Sequence, residues 1–237
     1  MVIRIGTSGF SYKEWCGSFY PEKIAGPKML AFYAARFPTV EINYTFRAMP
    51  RRQMLEKWCG ETPESFRFSL KAPQRITHIA KLQNVENETN YFIETAGALG
   101  ERLGPTLVQL PPGFKKDLAV LKDFLGLLNN RMKAAFEFRN KSWLADDTFS
   151  MLQEAGYALC IAESDKLATP VIRTAPYAYL RLRKENYVDA DLMGWAEQIK
   201  KLATECSEVD VFLKHATGAP ALVERLTALV GSSQDTG

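Results

Sequence analysis

The chain has 237 residues, of which 30 are Lys or Arg and 27 are Asp or Glu, so its formal net charge is +3. This balance excludes a histone-like or otherwise polybasic protein, and a content of 46% hydrophobic and 24% charged residues is typical of a soluble globular protein. A chain of this length can bury about 70–75% of its unfolded surface, so its core needs neither a structural metal nor disulfides.

Eight short apolar segments predict β-strands, and segments with the 3.6-residue period of amphipathic helices lie between them. The clearest helical patterns contain Leu30, Phe92, Leu121, Leu192 and Leu222, and the third and fourth follow the N-cap candidates of 117 and 189–191. Residues 163–176 show no clear helical pattern. The predicted strands are 2–6, 39–43, 66–71, 106–110, 134–139, 157–162, 177–182 and 209–213.

Eight strands that alternate with helices in a chain of this size predict an α/β fold, a single parallel (β/α)8 barrel of the TIM type. We expect one domain over residues 1–230, an incomplete or absent helix after the sixth strand, and a flexible tail over 231–237. The alternative is a doubly wound open sheet, which would need a glycine-rich phosphate turn after the first strand. The sequence Gly6-Thr7-Ser8-Gly9 is only a weak match to such a turn.

Thiol spacing and the N-terminal sequence bear on the cellular location. The four cysteines lie far apart and include no pair with the short spacing of a zinc or redox motif, which favours reduced thiols and a cytoplasmic protein. Residues 1–6 lack the features of a signal peptide, and no window of 18 apolar residues occurs. We therefore expect neither export nor a membrane partner.

Polar residues interrupt the predicted strands in a regular way. Alternate side chains of a barrel strand face the helices or the interior, so apolar residues on the helix side direct the residues between them inward. Most of the polar ones lie near the C-terminal ends of their strands, where barrel enzymes build their active sites. The predicted interior residues are Glu41, Asn43, Ser69, Lys71, Gln109, Glu137, Arg139, Tyr179, Arg181 and Lys214.

The charges in this set do not cancel. Four cations face the two carboxylates Glu41 and Glu137, which leaves an excess of two positive charges. Because unpaired buried charges are costly, we expect a small anionic ligand at this end of the barrel. The alternative is that the carboxylates pair with two cations and water solvates the others. Residues 215–220 add a second candidate anion site, a helix N-terminus after the eighth strand, although a plain helix cap explains them equally well.

Several stretches resemble the YecE-like family, the domain of unknown function 72. They include Gly6-Thr7-Ser8-Gly9-Phe10-Ser11-Tyr12, Val40-Glu41-Ile42-Asn43-Tyr44-Thr45-Phe46, Val108-Gln109-Leu110-Pro111-Pro112, and Phe136-Glu137-Phe138-Arg139 with Trp143. The resemblance implies a TIM-type barrel but no reaction. It weakens after about residue 160, where the family tends to have Arg-x-His-Gly and Phe-x-Asn-Asn. This chain has Leu180-Arg181-Leu182-Arg183-Lys184 and Phe212-Leu213-Lys214-His215 in those places.

We predict an enzyme, a lyase, an isomerase or a hydrolase, that acts on a small phosphorylated or carboxylated substrate. Its catalytic residues would be Glu41 and Glu137 as acid and base, together with Lys71, while Lys and Arg side chains hold the anion. Lys71 or Lys214 would instead form a Schiff base if burial and neighbouring arginines lower its pKa. A glycosidase using the two carboxylates is disfavoured because the cationic interior is unusual for a neutral sugar.

The remaining candidate residues are expected to contact the substrate. The mouth of the barrel is the end at which the strands have their C-termini. Aromatic residues in the loop 9–21 form either a wall over this mouth or a hydrophobic plug beside it. His78 is either a residue of the mouth or a surface residue. We predict no cofactor, with a single Mg or Mn on Glu41, Glu137 and Asn43 as an alternative. The predicted substrate-binding residues are Ser8, Tyr12, Trp15, Asn43, Tyr44, His78, Gln109, Arg139, Trp143, Arg181 and Lys214.

A nucleic-acid-binding or nucleic-acid-processing barrel is the competing interpretation. Residues 47–81 contain eight Lys or Arg and three Asp or Glu, interleaved with Trp58 and Phe66. A basic region of this size could contact a phosphate backbone, although charged runs are usually solvated faces.

Overall fold

The structure, a computed structural model, describes residues 1–164 and 168–231. Eight strands lie close to their predicted positions, and the ends differ by no more than two residues. The strands are β1 (Val2–Ser8), β2 (Thr39–Ile42), β3 (Arg67–Leu70), β4 (Thr106–Leu110), β5 (Ala134–Phe138), β6 (Ala158–Glu163), β7 (Tyr177–Leu182) and β8 (Glu208–Leu213).

All neighbouring strands are parallel, in the order β3-β2-β1-β8-β7-β6-β5-β4. Two contacts join the outer strands of this order. The Gly104 amide donates to the Phe68 carbonyl at 2.9 Å, and the Ala72 amide donates to the Leu107 carbonyl at 2.9 Å. The sheet is therefore a nearly closed barrel, and the predicted (β/α)8 fold is confirmed.

Helices alternate with these strands, and within the described residues none lies between β6 and β7. Apolar periodicity did not single out three of them, α2, α3 and α6, because each buries few large side chains; α3, for example, buries only Leu55. The α-helices are α1 (Met29–Ala34), α2 (Tyr44–Arg47), α3 (Arg52–Gly60), α4 (Glu86–Ala96), α5 (Leu118–Leu128), α6 (Asp146–Glu154), α7 (Asp189–Glu205) and α8 (Ala219–Gly231).

The predicted N-cap Asp117 is confirmed, whereas the N-cap of α7 is Val188 and Asp191 caps the helix from the third helical position. The Asp117 side chain accepts a hydrogen bond of 3.1 Å from the Val120 amide at the start of α5. At the start of α7 the Asp191 carboxylate accepts one of 3.0 Å from the Val188 amide. Each contact satisfies an amide that has no partner within the helix.

The barrel has two apolar regions, as the alternation of side chains predicts. The larger lies between the sheet and the helices and contains Phe68, Phe136 and Leu180. The smaller is formed by alternate residues of the same strands, so it fills the interior. Its members are Leu107, Ala135, Ala158, Cys160, Ala175, Tyr177, Tyr179 and Phe212.

The N-terminal end of the interior holds an ion pair that the sequence analysis missed. Arg4 on β1 donates to Asp210 on β8 at 3.1 Å and to Glu208 at 3.0 Å. Burial raises the pKa of Asp210 to about 6, although Arg4 acts in the opposite direction. The alternation of side chains along β1 and β8 places Arg4 and Asp210 on the inward face.

The C-terminal helix extends one residue further than predicted. Gly231 is the last residue of α8 and does not belong to the tail, and residues 232–237 lie outside the described part of the chain. No helix within residues 1–164 and 168–231 is long and apolar enough to cross a membrane.

Candidate functional site

Arg181 lies at the centre of a buried charge cluster near the C-terminal ends of the strands. Its Nε and Nη2 donate to the two carboxylate oxygens of Glu41, each at 2.8 Å, and its Nη1 donates to Glu137. The strand β7 that carries Arg181 is not adjacent to β2 or β5, so these contacts cross the interior. The structure thus brings together three of the predicted site residues.

Glu41 is fully buried, and hydrogen-bond donors surround its carboxylate. In addition to Arg181, Ser8 donates to it at 2.6 Å, Tyr179 at 2.8 Å and Asn43 at 3.3 Å. Burial by itself raises the pKa of Glu41, but the charge and hydrogen bonds of Arg181 outweigh burial and hold that pKa below its ordinary value. The carboxylate is therefore ionised at neutral pH.

Glu137 has a similar environment. Arg139 donates to it at 2.9 Å, and the guanidinium of Arg183 lies 3.8 Å from it. Burial raises its pKa, yet Arg181 and Arg139 together lower it to about 2. Both carboxylates thus fix the positions of guanidinium groups and are weak bases.

Lys71 follows β3 and is only 8% exposed. Its ammonium donates to Gln109 Oε1 at 2.9 Å and lies 3.9 Å from the centre of the Phe46 ring. No carboxylate of the described residues forms an ion pair with it. Burial, and after it the charge of Arg181, lower the pKa of Lys71 to about 8, while Glu41 partly offsets them.

Two buried nitrogen atoms near Glu137 lack a well-aligned hydrogen bond among the described residues: Arg183 Nε has no partner, and Gln109 Nε2 has none except Glu137, whose pKa the Gln109 side chain helps to lower. An ammonium group can only donate, so the contact with Lys71 fixes which end of the Gln109 amide is the oxygen. Both nitrogens are donors, and an unpaired buried donor costs about 1–3 kcal/mol. A ligand that offers acceptor oxygens would satisfy them.

A groove of about 510 Å³ adjoins this cluster beyond the ends of β7 and β8. Its lining includes the basic residues Arg183, Lys184 and Lys214 together with His215 and one acidic residue, Glu185, and Tyr12 borders it on the β1 side. Loops at this position commonly hold phosphate in barrels of this fold. Burial lowers the pKa of Lys214, and the charges of Arg183 and Arg181 lower it further. Lys214 therefore lies close to the same charge cluster.

The loop after β1 places Tyr12 at the groove. Gly9 has φ +90°, in the left-handed region that favours glycine, and a Cβ there would lie 2.5 Å from the Tyr12 hydroxyl. The tight turn lets this hydroxyl donate to the Ser8 carbonyl at 2.8 Å.

Two tryptophans predicted to contact substrate are packing residues instead. Trp143 is fully buried, stacks 4.8 Å from Phe138, and donates from its indole nitrogen to the Phe114 carbonyl at 2.8 Å. Trp15 is 1% exposed and donates to the Ala216 carbonyl at 3.1 Å. Because neither side chain has free surface or a free polar atom, we remove both from the binding surface. Trp15 agrees with the plug interpretation of its loop.

Two other predicted residues lie on the side of β2 and β3. Tyr44 is 58% exposed. His78 is half-buried, packs 4.8 Å from the Phe46 ring, and shares a hydrogen bond of 2.9 Å with Thr77. Burial lowers the pKa of His78, and the charge of Lys71 lowers it further. The imidazole therefore lies near Lys71 in the barrel mouth.

Arg183 is the main site residue that the sequence analysis left out. It continues the inward series of Tyr179 and Arg181 two residues beyond the latter, just past the end of β7. Tyr179 was placed inward but not assigned to the site, and it bonds directly to Glu41. With Arg183 included, the two carboxylates are surrounded by five cations: Lys71, Arg139, Arg181, Arg183 and Lys214.

The predicted Mg or Mn alternative does not fit these contacts. The oxygens of Glu41 and Glu137 that would bind the ion already accept hydrogen bonds from guanidinium, hydroxyl and amide groups. The structure brings together no cluster of three His, Cys, Asp or Glu within its described residues. A glycosidase fits no better, because its acid needs a raised pKa and Arg181 fills the space between the two carboxylates.

The basic region 47–81 does not form one continuous surface. Three of its eight cations pair with acidic residues, Lys71 lies in the barrel mouth, and Trp58 stacks on Phe68 in the core. The pairs are Arg52 with Glu56, Lys57 with Glu61, and Arg75 with Glu88.

Known proteins match nearly the whole chain. A family model described as "Protein of unknown function DUF72" matches residues 4–236. The chain belongs to the DUF72 family. Its relatives include UPF0759 protein YunF of Bacillus subtilis, which is 25% identical over 93% of this chain and 91% of YunF. UPF0759 protein YecE of Escherichia coli is 30% identical over 61% of this chain and 51% of YecE.

Crystal structures of DUF72 proteins share the fold. TM1631 of Thermotoga maritima superposes with a TM-score of 0.87 at 26% identity, over 97% of this chain and 99% of that protein. EF0366 of Enterococcus faecalis gives a TM-score of 0.80 at 20% identity, over 99% of this chain and 97% of that protein. The predicted family is therefore confirmed.

Proposed function

We propose that the barrel mouth binds a small phosphorylated or carboxylated molecule and that the protein is an enzyme acting on it. The observation that carries this proposal is a buried donor without a partner, Arg183 Nε, within a cluster of five cations and only two carboxylates. Donors and a surplus of positive charge both favour an anion with several acceptor oxygens.

The roles within the cluster differ from those predicted. We assign Glu41 and Glu137 to positioning, since their low pKa values make them weak bases and Arg181 occupies their oxygens. Lys71 is the group suited to transfer a proton near neutral pH, because its pKa of about 8 lies close to the working range. A proton transfer next to a carboxylate or phosphate, in a lyase or isomerase, uses both Lys71 and the anion-binding cations.

Ligand-induced stabilisation tests this proposal. A ligand that binds only the folded protein at one hundred times its Kd stabilises it by about 2.7 kcal/mol. Inorganic phosphate and malonate should therefore raise Tm at constant ionic strength, and Arg183→Met should reduce the increase by half or more. Lys122→Met, which alters an exposed lysine on α5, is the matched control and should retain it. Equal increases in both variants would contradict the proposal.

Nothing in the described residues favours the nucleic-acid alternative, which stays a prediction. The cytoplasmic location is likewise a prediction, and the free thiols of Cys16, Cys59, Cys160 and Cys206 are in keeping with it.

A further inference from the structure

We propose that the Lys71 amine forms an imine with the carbonyl carbon of a small anionic carbonyl compound, such as a 2-oxo acid or a phosphorylated aldehyde or ketone. This inference rests on the proposed function, because the anionic group must bind the neighbouring cations. It adds a covalent step and narrows the substrate class to compounds that have both a carbonyl and an anionic group.

The contacts of Lys71 suit a nucleophile. Its nitrogen has one amide oxygen, that of Gln109, and one aromatic face, that of Phe46, and it has no ion-pair partner among the described carboxylates. A lysine that serves to stabilise the fold would be expected to pair with Glu41 or Glu137, yet Arg181 holds both. The nitrogen is therefore held in place, and no carboxylate of the described residues pairs with its positive charge.

Electrostatics also favour the neutral amine, which is the nucleophilic form. With the pKa of Lys71 at about 8, roughly one amine in ten is neutral at pH 7. For an ordinary lysine the fraction is below about one in a thousand. Desolvation and a nearby cation are the two means by which proteins activate lysines for imine formation.

The surroundings of the amine indicate the substrate. The two ends of the Gln109 amide share one carbon atom, so Nε2 lies next to the ammonium that Oε1 contacts, and one of its two hydrogens is left when the other points to Glu137. It can donate to an oxygen on the carbon that Lys71 attacks. Arg139 and Arg183 flank Glu137 and offer guanidinium groups to a carboxylate or phosphate.

The step balances without an oxidant or reductant. The nitrogen lone pair of Lys71 attacks the carbonyl carbon, and one proton moves from nitrogen to the former carbonyl oxygen to give a carbinolamine. Protonation of its hydroxyl by solvent releases water as the C=N bond forms. The resulting iminium withdraws electrons from the adjacent carbon, which is the chemistry that a lyase or isomerase needs.

Reductive trapping tests the imine. The full-length protein is incubated with pyruvate, glyoxylate or, as a neutral probe, acetone, and sodium borohydride then reduces any C=N bond. Intact mass and peptide mapping should show one adduct at Lys71, with a mass gain equal to the probe minus one oxygen atom. Labelling should require at least about tenfold less pyruvate than acetone, and its rate should be half-maximal near pH 8.

Two variants and one internal control complete the experiment. Lys71→Arg keeps the charge but should lose the adduct, whereas Lys122→Met should retain it. Exposed lysines in the same wild-type digest show the background, so the result does not depend on either variant folding. Labelling of Lys71 no faster than that background would overturn the imine, and equal labelling by acetone and pyruvate would overturn the anionic substrate class. Loss of the imine with intact phosphate binding would leave the proposed function standing.

Discussion

Arg181 binds Glu41 through two parallel hydrogen bonds, Nε to Oε2 and Nη2 to Oε1, each 2.8 Å long. This bidentate contact crosses the barrel interior, and the third nitrogen of the same guanidinium contacts Glu137. One cation thus bridges both carboxylates of the cluster, and Arg139 and Arg183 also approach Glu137. Lys71 and Lys214 form no ion pair among the described residues, and this is why we place an anion beside them.

Removing Arg181 should destabilise the protein strongly. Arg181→Met leaves two buried carboxylates without their main partner, and breaking a buried pair in this way costs about 3–5 kcal/mol. Chemical denaturation should show this loss in the free energy of unfolding. Adding Glu41→Gln and Glu137→Gln to Arg181→Met should recover part of it, since the two buried side chains are then neutral. A cost below about 1 kcal/mol for Arg181→Met would contradict the account.

Acid should remove the stability that the two carboxylates contribute. The folded-state pKa of Glu137 is about 2 and that of Glu41 is also lowered, so both bind protons less readily in the folded chain than in the unfolded one. Their contribution is complete above the ordinary carboxyl pKa of about 4.3 and is lost as pH falls toward 2. Glu137→Gln should have a shallower loss of unfolding free energy between pH 5 and pH 2. An unchanged slope would contradict this interpretation.

Asp210 should show the opposite pH dependence. Its folded-state pKa of about 6 lies above its ordinary value, so its stabilising effect is present below about pH 4 and is lost as pH rises through 6. A tenfold change in proton affinity corresponds to about 1.4 kcal/mol. The unfolding free energy of wild type minus that of Asp210→Asn should therefore fall by up to about 3 kcal/mol between pH 4 and pH 7. A difference that rises with pH would show that Asp210 is ionised over this whole range.

Trp143 allows packing to be separated from ligand binding. Trp143→Phe removes the hydrogen bond to the Phe114 carbonyl and part of the stack on Phe138, so we expect a loss of about 1–3 kcal/mol in stability. The affinity for phosphate, measured by calorimetry well below Tm, should stay within about twofold of wild type. A large loss of affinity with unchanged stability would return Trp143 to the binding surface.

Arg183 should contribute directly to ligand affinity. A hydrogen bond to a charged group is worth about 1.5–3 kcal/mol, so Arg183→Met should weaken phosphate binding roughly ten- to hundredfold. Because this guanidinium lies as far as 3.8 Å from Glu137 and lacks a partner at Nε, its loss should change stability little. Calorimetric titration of both proteins at one ionic strength measures the ratio of the Kd values. A ratio near one would remove Arg183 from the site.

The fold and the inward residues were predictable because they depend on local periodicity. Apolar segments marked the strands, and alternation directed Glu41, Lys71, Glu137 and Arg181 to one interior. The pairing among these residues was not predictable. It depends on which side chains meet across the barrel, and this follows from strand stagger and tilt.

Two other kinds of error have physical causes. A tryptophan near a predicted site looks the same in the sequence whether it packs in the core or binds a ligand. Only their burial in the structure assigned Trp15 and Trp143 to the core. Arg183 was missed because it lies beyond the end of β7, where the apolar pattern ends but the alternation still continues.

A crystal structure of the protein with phosphate or malonate, in a crystallisation solution free of other multivalent anions, tests the central claim most directly. We predict one anion in the barrel mouth, with its oxygens within hydrogen-bond distance of Gln109 Nε2 and of Lys71, Arg139 or Arg183. Arg181 should remain bound to Glu41 and Glu137. Anions found only elsewhere on the surface, with Lys71 paired to a protein carboxylate, would contradict the claim.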